Sequence, residues 1–257
     1  MDILINQDSP LRKVPIVLEK RQVLLIDGIR YSLDIVDISF QKLNEYLYNL
    51  SFTEEGLCPS LPSIYSEVWN IVNNTSIFIK LLISFPVIDY EVLLKEIFVI
   101  NDLRNSHQHL NQRIDEIFLK EELPIFGELS WYAKKHSNSD NGIICTIHSG
   151  FFTNKTKTSM KPVNPSGKSN EFLINNITLT GIKRVKKTKD EIQFLKTRVD
   201  LNHVYQELRR IVLNIEHQFL EQFKSVPTDQ VHENDLVLKL FVRKPSEAEL
   251  SNLYETK

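Results

Sequence analysis

The run Leu103-Arg104-Asn105-Ser106-His107-Gln108-His109-Leu110 places a guanidinium, an amide and two imidazoles inside a periodic apolar segment. Those groups suit phosphodiester chemistry. RNA cuts itself when a 2′-OH attacks the adjacent phosphorus. The attack needs a base for the hydroxyl proton, an acid for the leaving 5′-oxygen, and positive charge near the phosphorane. Imidazole titrates close to neutral pH and serves as base or acid. Guanidinium keeps its proton and presents a fork that matches phosphate oxygens. An amide can orient either by hydrogen bonds. No metal is needed, and the expected products carry a 2′,3′-cyclic phosphate and a 5′-OH.

Read as Arg-Asn-x-x-x-His, Arg104 to His109 resembles the signature of the HEPN superfamily, whose helical domains are often metal-independent ribonucleases. The resemblance implies that Arg104 stabilises the phosphate, Asn105 orients it and His109 moves the proton. It also implies a homodimer in which two motif helices share one cleft. His107 falls at a variable position of the pattern, as a possible second proton carrier. Arg113 and Asp115 follow on later turns as possible support. On a straight helix, however, Arg104 and His109 lie roughly 140° apart, whereas Asn105 and His109 share a stripe. A bend in the helix or a second copy would bring all three together. The bland reading is a polar network inside a bundle that fixes helix packing.

Other motifs fail on inspection. Asn164-Pro165-Ser166-Gly167-Lys168-Ser169 ends like a phosphate-binding loop, but Pro162 stands where its first glycine belongs. His107 and His109 point roughly 200° apart on a helix and cannot share a metal. His148-Ser149-Gly150 lacks the spacing of a serine-hydrolase elbow. His136, His203, His217 and His232 are scattered and read as surface or structural. Cys58 and Cys145 form neither a zinc nor a redox motif and suggest a reducing compartment. The expectation is no metal and no cofactor.

The elements that position the motif follow from periodicity. Val14–Leu18 and Val23–Ile26 are β-prone runs expected to form a hairpin, with Asp27-Gly28 a turn signal between Ile26 and Ile29. A helix over Ser32–Leu50, capped by Ser32, comes next. A second starts near Pro62 and stops before Pro86. A third, capped by Asp89, runs unbroken through the motif to about Lys120. Strands are expected near 129–132, 142–152, 175–183 and 191–199, with a long loop over 154–170. In the last strand, Ile192 and Phe194 are set against Lys196 and Arg198 on opposing faces. Asp200 caps a final helix to about Phe223, and Leu236–Val242 reads as one more strand.

The expected architecture is α+β: one folded unit of residues 1–257. An antiparallel helical bundle, HEPN-like by the resemblance, comprises 30–125 and 200–224. A small antiparallel sheet, 129–199, is inserted before the last helix, and 243–257 is a loose tail. With 42% hydrophobic residues the chain can bury a sizeable core. Only 7 glycines argue against phosphate-cradling loops. A net charge of -2 excludes a generic polycation. From Lys155 to Arg198, however, eleven basic residues face three acids, a local +8 that leaves -10 elsewhere. Lys183, Arg184, Lys186 and Lys187 therefore become candidates to guide RNA. The start lacks a signal peptide, and no stretch is long enough to span a bilayer.

The functional expectation is a cytoplasmic endoribonuclease of toxin or antiviral-defence type. Its partners would be RNA, a second copy, and an antitoxin or defence-system protein. The alternative is a noncatalytic HEPN-like module binding a partner protein or nucleotide.

Overall fold

The computed structural model describes residues 3–52, 59–85, 90–118, 124–136, 141–150, 173–186, 192–224, 230–232 and 235–237. It is a mixed α+β structure. Among the described residues, six α-helices accompany a four-stranded antiparallel sheet of order β2-β1-β3-β4. The helices are α1 (Lys20–Phe52), α2 (Leu61–Ile83), α3 (Tyr90–Leu94), α4 (Val99–Gln108), α5 (Leu110–Arg113) and α6 (Leu201–Phe223). The strands are β1 (Glu128–Ala133), β2 (Ile143–His148), β3 (Ile174–Lys186) and β4 (Ile192–Asp200). No described helix is long and apolar enough to cross a membrane.

The expected N-terminal hairpin is absent. Helix α1 begins at Lys20 and runs straight through Asp27-Gly28. Gly28 serves a packing purpose there: a Cβ would lie 2.8 Å from Cδ1 of Leu81, so glycine lets α1 and α2 close. Arg21 near the start of α1 donates to the Ser84 carbonyl just past the end of α2, which makes the pair antiparallel. Ser32 is not a cap. It is buried in mid-helix, its hydroxyl donating to the Ile29 carbonyl at 2.8 Å.

Helix α2 starts as its sequence implies. Ser60 caps it by accepting from the Ser63 N–H, and proline occupies its first turn. The long third helix does not form as one piece. The chain passes from α3 through a 3₁₀ turn (Lys95–Ile97) into α4, breaks at His109, and continues through α5 into a π turn (Ile114–Phe118). Asp89 and residues 119–120 lie outside the described residues. Packing explains the bends. Leu94, Ile97, Ile100 and Leu103 all reach the core, but against different neighbours. Arg210 of α6 donates to the Leu93 carbonyl, whereas α4 is held to α2 by a Ser76–Asn101 hydrogen bond of 2.6 Å. A straight rod cannot serve both partners.

The sheet has two unlike faces, because directly paired residues share a side. The row Ile147–Leu129–Leu179–Val199 belongs to the core. The opposite face carries the rows His148–Glu128–Thr180–Arg198 and Thr146–Ser130–Thr178–Asp200. Trp131 joins sheet to helices by donating from Nε1 to Ser51 Oγ at 2.9 Å. Helix α6 returns to α1, with Phe40 and Tyr205 stacked at 4.2 Å and the Tyr205 hydroxyl donating to Asp37.

Asp200 caps α6, its carboxylate accepting from the N–H groups of Asn202 at 2.9 Å and His203 at 3.2 Å. Asp200→Ala is expected to lower stability by about 0.5–2 kcal/mol, measured as a shifted urea midpoint with an unchanged slope. Of the final strand expected over Leu236–Val242, Leu236 and Val237 stand exposed outside any strand, and residues 238–242 lie outside the described residues. So do the expected loop over 154–170, the look-alike phosphate loop and the tail from 243. Asp235 nearby is held to α1 by Arg30, whose guanidinium pulls its carboxyl down to about 2.

Candidate functional site

Helix α4 sorts the motif into two groups. Asn101, Arg104 and His107 are spaced three apart and form one stripe. Both ends of that stripe are tied to α2, through Ser76–Asn101 and through stacking of His107 on Trp69. Arg104 lies between them, half-buried, with its Nε sealed and without a hydrogen-bond partner. Asn105 and His109 face away and are exposed. Taking Arg104 as zero, Gln108, Asn105 and His109 lie at about 40°, 100° and 140° around the axis. No hydrogen bond or ion pair joins Arg104, Asn105 and His109 among the described residues. One copy therefore does not bring Arg104 and His109 together. His109 sits where α4 breaks, with φ -107 and ψ 32.

The supporting roles suggested for Arg113 and Asp115 are not what the structure gives them. Arg113 is buried, paired with Glu116 and placed 5.1 Å over the Phe194 ring. It braces the end of the motif segment against β4. Asp115 is exposed.

His107 occupies the better-formed environment. Its ring stacks on Trp69 with centroids 3.8 Å apart and planes 16° from parallel, and Phe126 lies 5.5 Å away. Burial lowers its pKa, so the ring is neutral at pH 7. Its Nε2 is sealed and unpartnered. Together these rings border a cleft of about 470 Å³, lined by Leu61, Pro62, Tyr65, Ser66, Trp69, His107, Phe126, Ser149 and Gly150.

Gly127 fixes that cleft. At φ +92, where a Cβ would meet the Thr180 carbonyl at 2.7 Å, only glycine fits. Its carbonyl accepts from the Tyr65 hydroxyl at 2.8 Å and from Ser149 Oγ at 3.3 Å, while Trp69 Nε1 donates to the Phe126 carbonyl. Burial, with help from the Glu128 carboxylate, pushes the Tyr65 phenol above its ordinary range, so it stays a donor. His148 pairs with Glu128 across the sheet at 3.4 Å, and Ser149 serves these contacts rather than a nucleophile elbow.

Comparison with protein-family models, with curated proteins and with solved structures gives no match to this chain.

The basic candidates separate. Lys183 and Arg184 are successive residues of β3 and project to opposite faces. Lys183 is half-buried opposite Leu195, and Arg184 is exposed opposite Phe194. The Lys186 side chain and all of Lys187 lie outside the described residues. The face that bears Arg184 also bears Lys196 and Arg198, both exposed. Phe194, Lys196 and Arg198 thus share one face instead of opposing ones, because strand side chains repeat every two residues, and the Ile192 side chain lies outside the described residues. Arg113 covers Phe194 and leaves the two cations uncovered. Strict alternation would have found this set in the sequence. The Trp69–His107 pairing had no local signal, since its partners are 38 positions apart.

The half-buried, neutral His107 has a measurable consequence. Its folded-state pKa lies below the ordinary 6.5, so the unfolded chain binds more protons in the window beneath that value. Stability should rise with pH through the window and level off above it. His107→Gln should remove this part of the rise, seen by comparing urea midpoints of the two proteins from about pH 5 to about pH 7.5.

Proposed function

We propose that the chain is a metal-independent endoribonuclease, of toxin or antiviral-defence type, that cleaves RNA through 2′-OH attack. Its HEPN-like site is completed between two copies. The observation that carries this reading is that Asn105 and His109 are exposed, four residues apart and without side-chain partners among the described residues. A polar set kept only to lock helix packing would be buried and hydrogen-bonded. Here the amide and imidazole instead face outward beside Gln108, on an arc bounded by Arg104. A second copy set against that arc adds its own motif and closes the 140° gap that one helix leaves. Arg104 then holds the phosphate, Asn105 orients it and His109 transfers the proton. The exposed row Arg184, Lys196 and Arg198 supplies a positive face for the strand, and its contribution weakens with salt.

The test is direct. Purified protein is incubated with mixed RNA in EDTA beside the His109→Ala and Arg104→Ala variants. Cleavage that survives chelation, leaves 2′,3′-cyclic phosphate ends and disappears in both variants supports the reading. Intact RNA in every lane, with folded protein, overturns it. The second reading is a noncatalytic module that binds a nucleotide, and the formed aromatic cleft beside His107 favours it.

A further inference from the structure

The cleft between α2, α4 and the segments flanking β1 and β2 selects among ligands. Its volume of about 470 Å³ is that of a small-molecule site. Tyr65, Trp69, His107 and Phe126 line it, and among the described residues no Asp, Glu, Lys or Arg does. Such walls favour a flat, uncharged, π-rich group, which gains by stacking and gives up little hydration. Trp69 and His107 are already stacked, so the platform exists before a ligand arrives. Ser66 and Ser149 place hydroxyls on the lining, where they can meet the polar edge of a ring.

Arg104 lies one helical turn from His107, a lining residue, on the same stripe of α4. Its Nε is sealed without a partner. A guanidinium there complements an anion joined to the flat group by a short link. An aromatic side chain of a partner protein would fill the same walls and make no use of that cation.

We propose that this cleft binds an unpaired RNA nucleobase, its ring laid on the Trp69–His107 platform and its adjoining phosphate at Arg104. The choice of RNA rests on the function proposed above. The stacking site itself does not depend on cleavage.

The experiment is calorimetric titration of the full chain with adenosine 5′-monophosphate, adenosine and N-acetyltryptophanamide, none of which has a linkage to cut. The monophosphate should bind, and adenosine should bind at least about tenfold more weakly. Arg104→Gln should erase that difference. Ser66→Trp fills the cleft from an exposed position, and should weaken monophosphate binding at least about tenfold without lowering the melting temperature. No binding of the monophosphate, or binding that Ser66→Trp leaves intact, overturns the proposal. So does a preference for N-acetyltryptophanamide, which would assign the cleft to a protein side chain. A chain that binds the monophosphate here yet leaves RNA intact keeps this inference and loses the ribonuclease. A chain that cleaves RNA but does not bind the monophosphate loses this inference alone.

Discussion

Replacing His109 with alanine is expected to lower EDTA-resistant RNA cleavage by about 10²–10⁴-fold, the contribution of a positioned general acid or base. The fold should not register the change. His109 is exposed, its side chain has no hydrogen-bond partner among the described residues, and α4 already ends there. Substitutions of that kind usually stay within about 0.5 kcal/mol. Lost cleavage at an unchanged melting temperature therefore separates chemistry from stability.

Arg104 tests the second half of the site. Arg104→Lys keeps the charge and loses the fork, so it should recover little of the activity that Arg104→Ala removes. The two-copy arrangement adds a sharper result. Mixing inactive His109→Ala and Arg104→Ala chains should restore cleavage if Arg and His act from different copies. Random exchange puts about half the protein in mixed dimers, each with one intact site of two, so about a quarter of full activity returns. No recovery after exchange, with both variants still dimeric, would place the two groups in one copy.

Trp131→Ala is expected to destabilise the fold by about 3–5 kcal/mol, the usual cost of removing a large buried aromatic. Trp131 is 1% exposed, at the join between sheet and helices. Its indole N–H reaches Ser51 Oγ at 2.9 Å, and that hydroxyl donates to the Leu47 carbonyl at 2.7 Å. Across the β1–β2 ladder Trp131 faces Cys145, whose sulfur lies 3.6 Å from the same hydroxyl. Deleting the ring opens a cavity where neither the sheet nor α1 can collapse easily. Trp131→Phe keeps most of the apolar area and gives up the N–H bond, so it should cost much less. The measurement is urea unfolding followed by far-ultraviolet circular dichroism. A loss under about 1 kcal/mol would show that sheet and helices are not joined through this residue.

Much of the architecture was legible because its signals are local. Asp200 followed by apolar residues at helical spacing marks α6 from cap to end, and Pro62 marks the first turn of α2. The Ile-, Thr- and aromatic-rich stretches after Gly127 become β1 to β4. Asp27-Gly28 misled because the dipeptide's turn chemistry is real, but tertiary context overrides it and α1 runs through it alongside α2. The unbroken third helix misled for a related reason. Its apolar stripe is continuous in sequence, but the surfaces it must cover are not coplanar.

Sequence alone determined that a guanidinium and an amide fall on one helix with an imidazole close behind, that an antiparallel sheet precedes the last helix, and where that helix begins. Those are consequences of backbone propensity and side-chain period, which act between near neighbours in the chain. Tertiary packing decided the rest: that Arg104 and His107 turn toward α2 while Asn105 and His109 stay in solvent, and that His107 gains a ring from 38 positions away. It also set Lys183 and Arg184 beside different strand neighbours. Which face of a helix meets a partner depends on burying apolar area across the whole molecule, and no short window of residues contains that information.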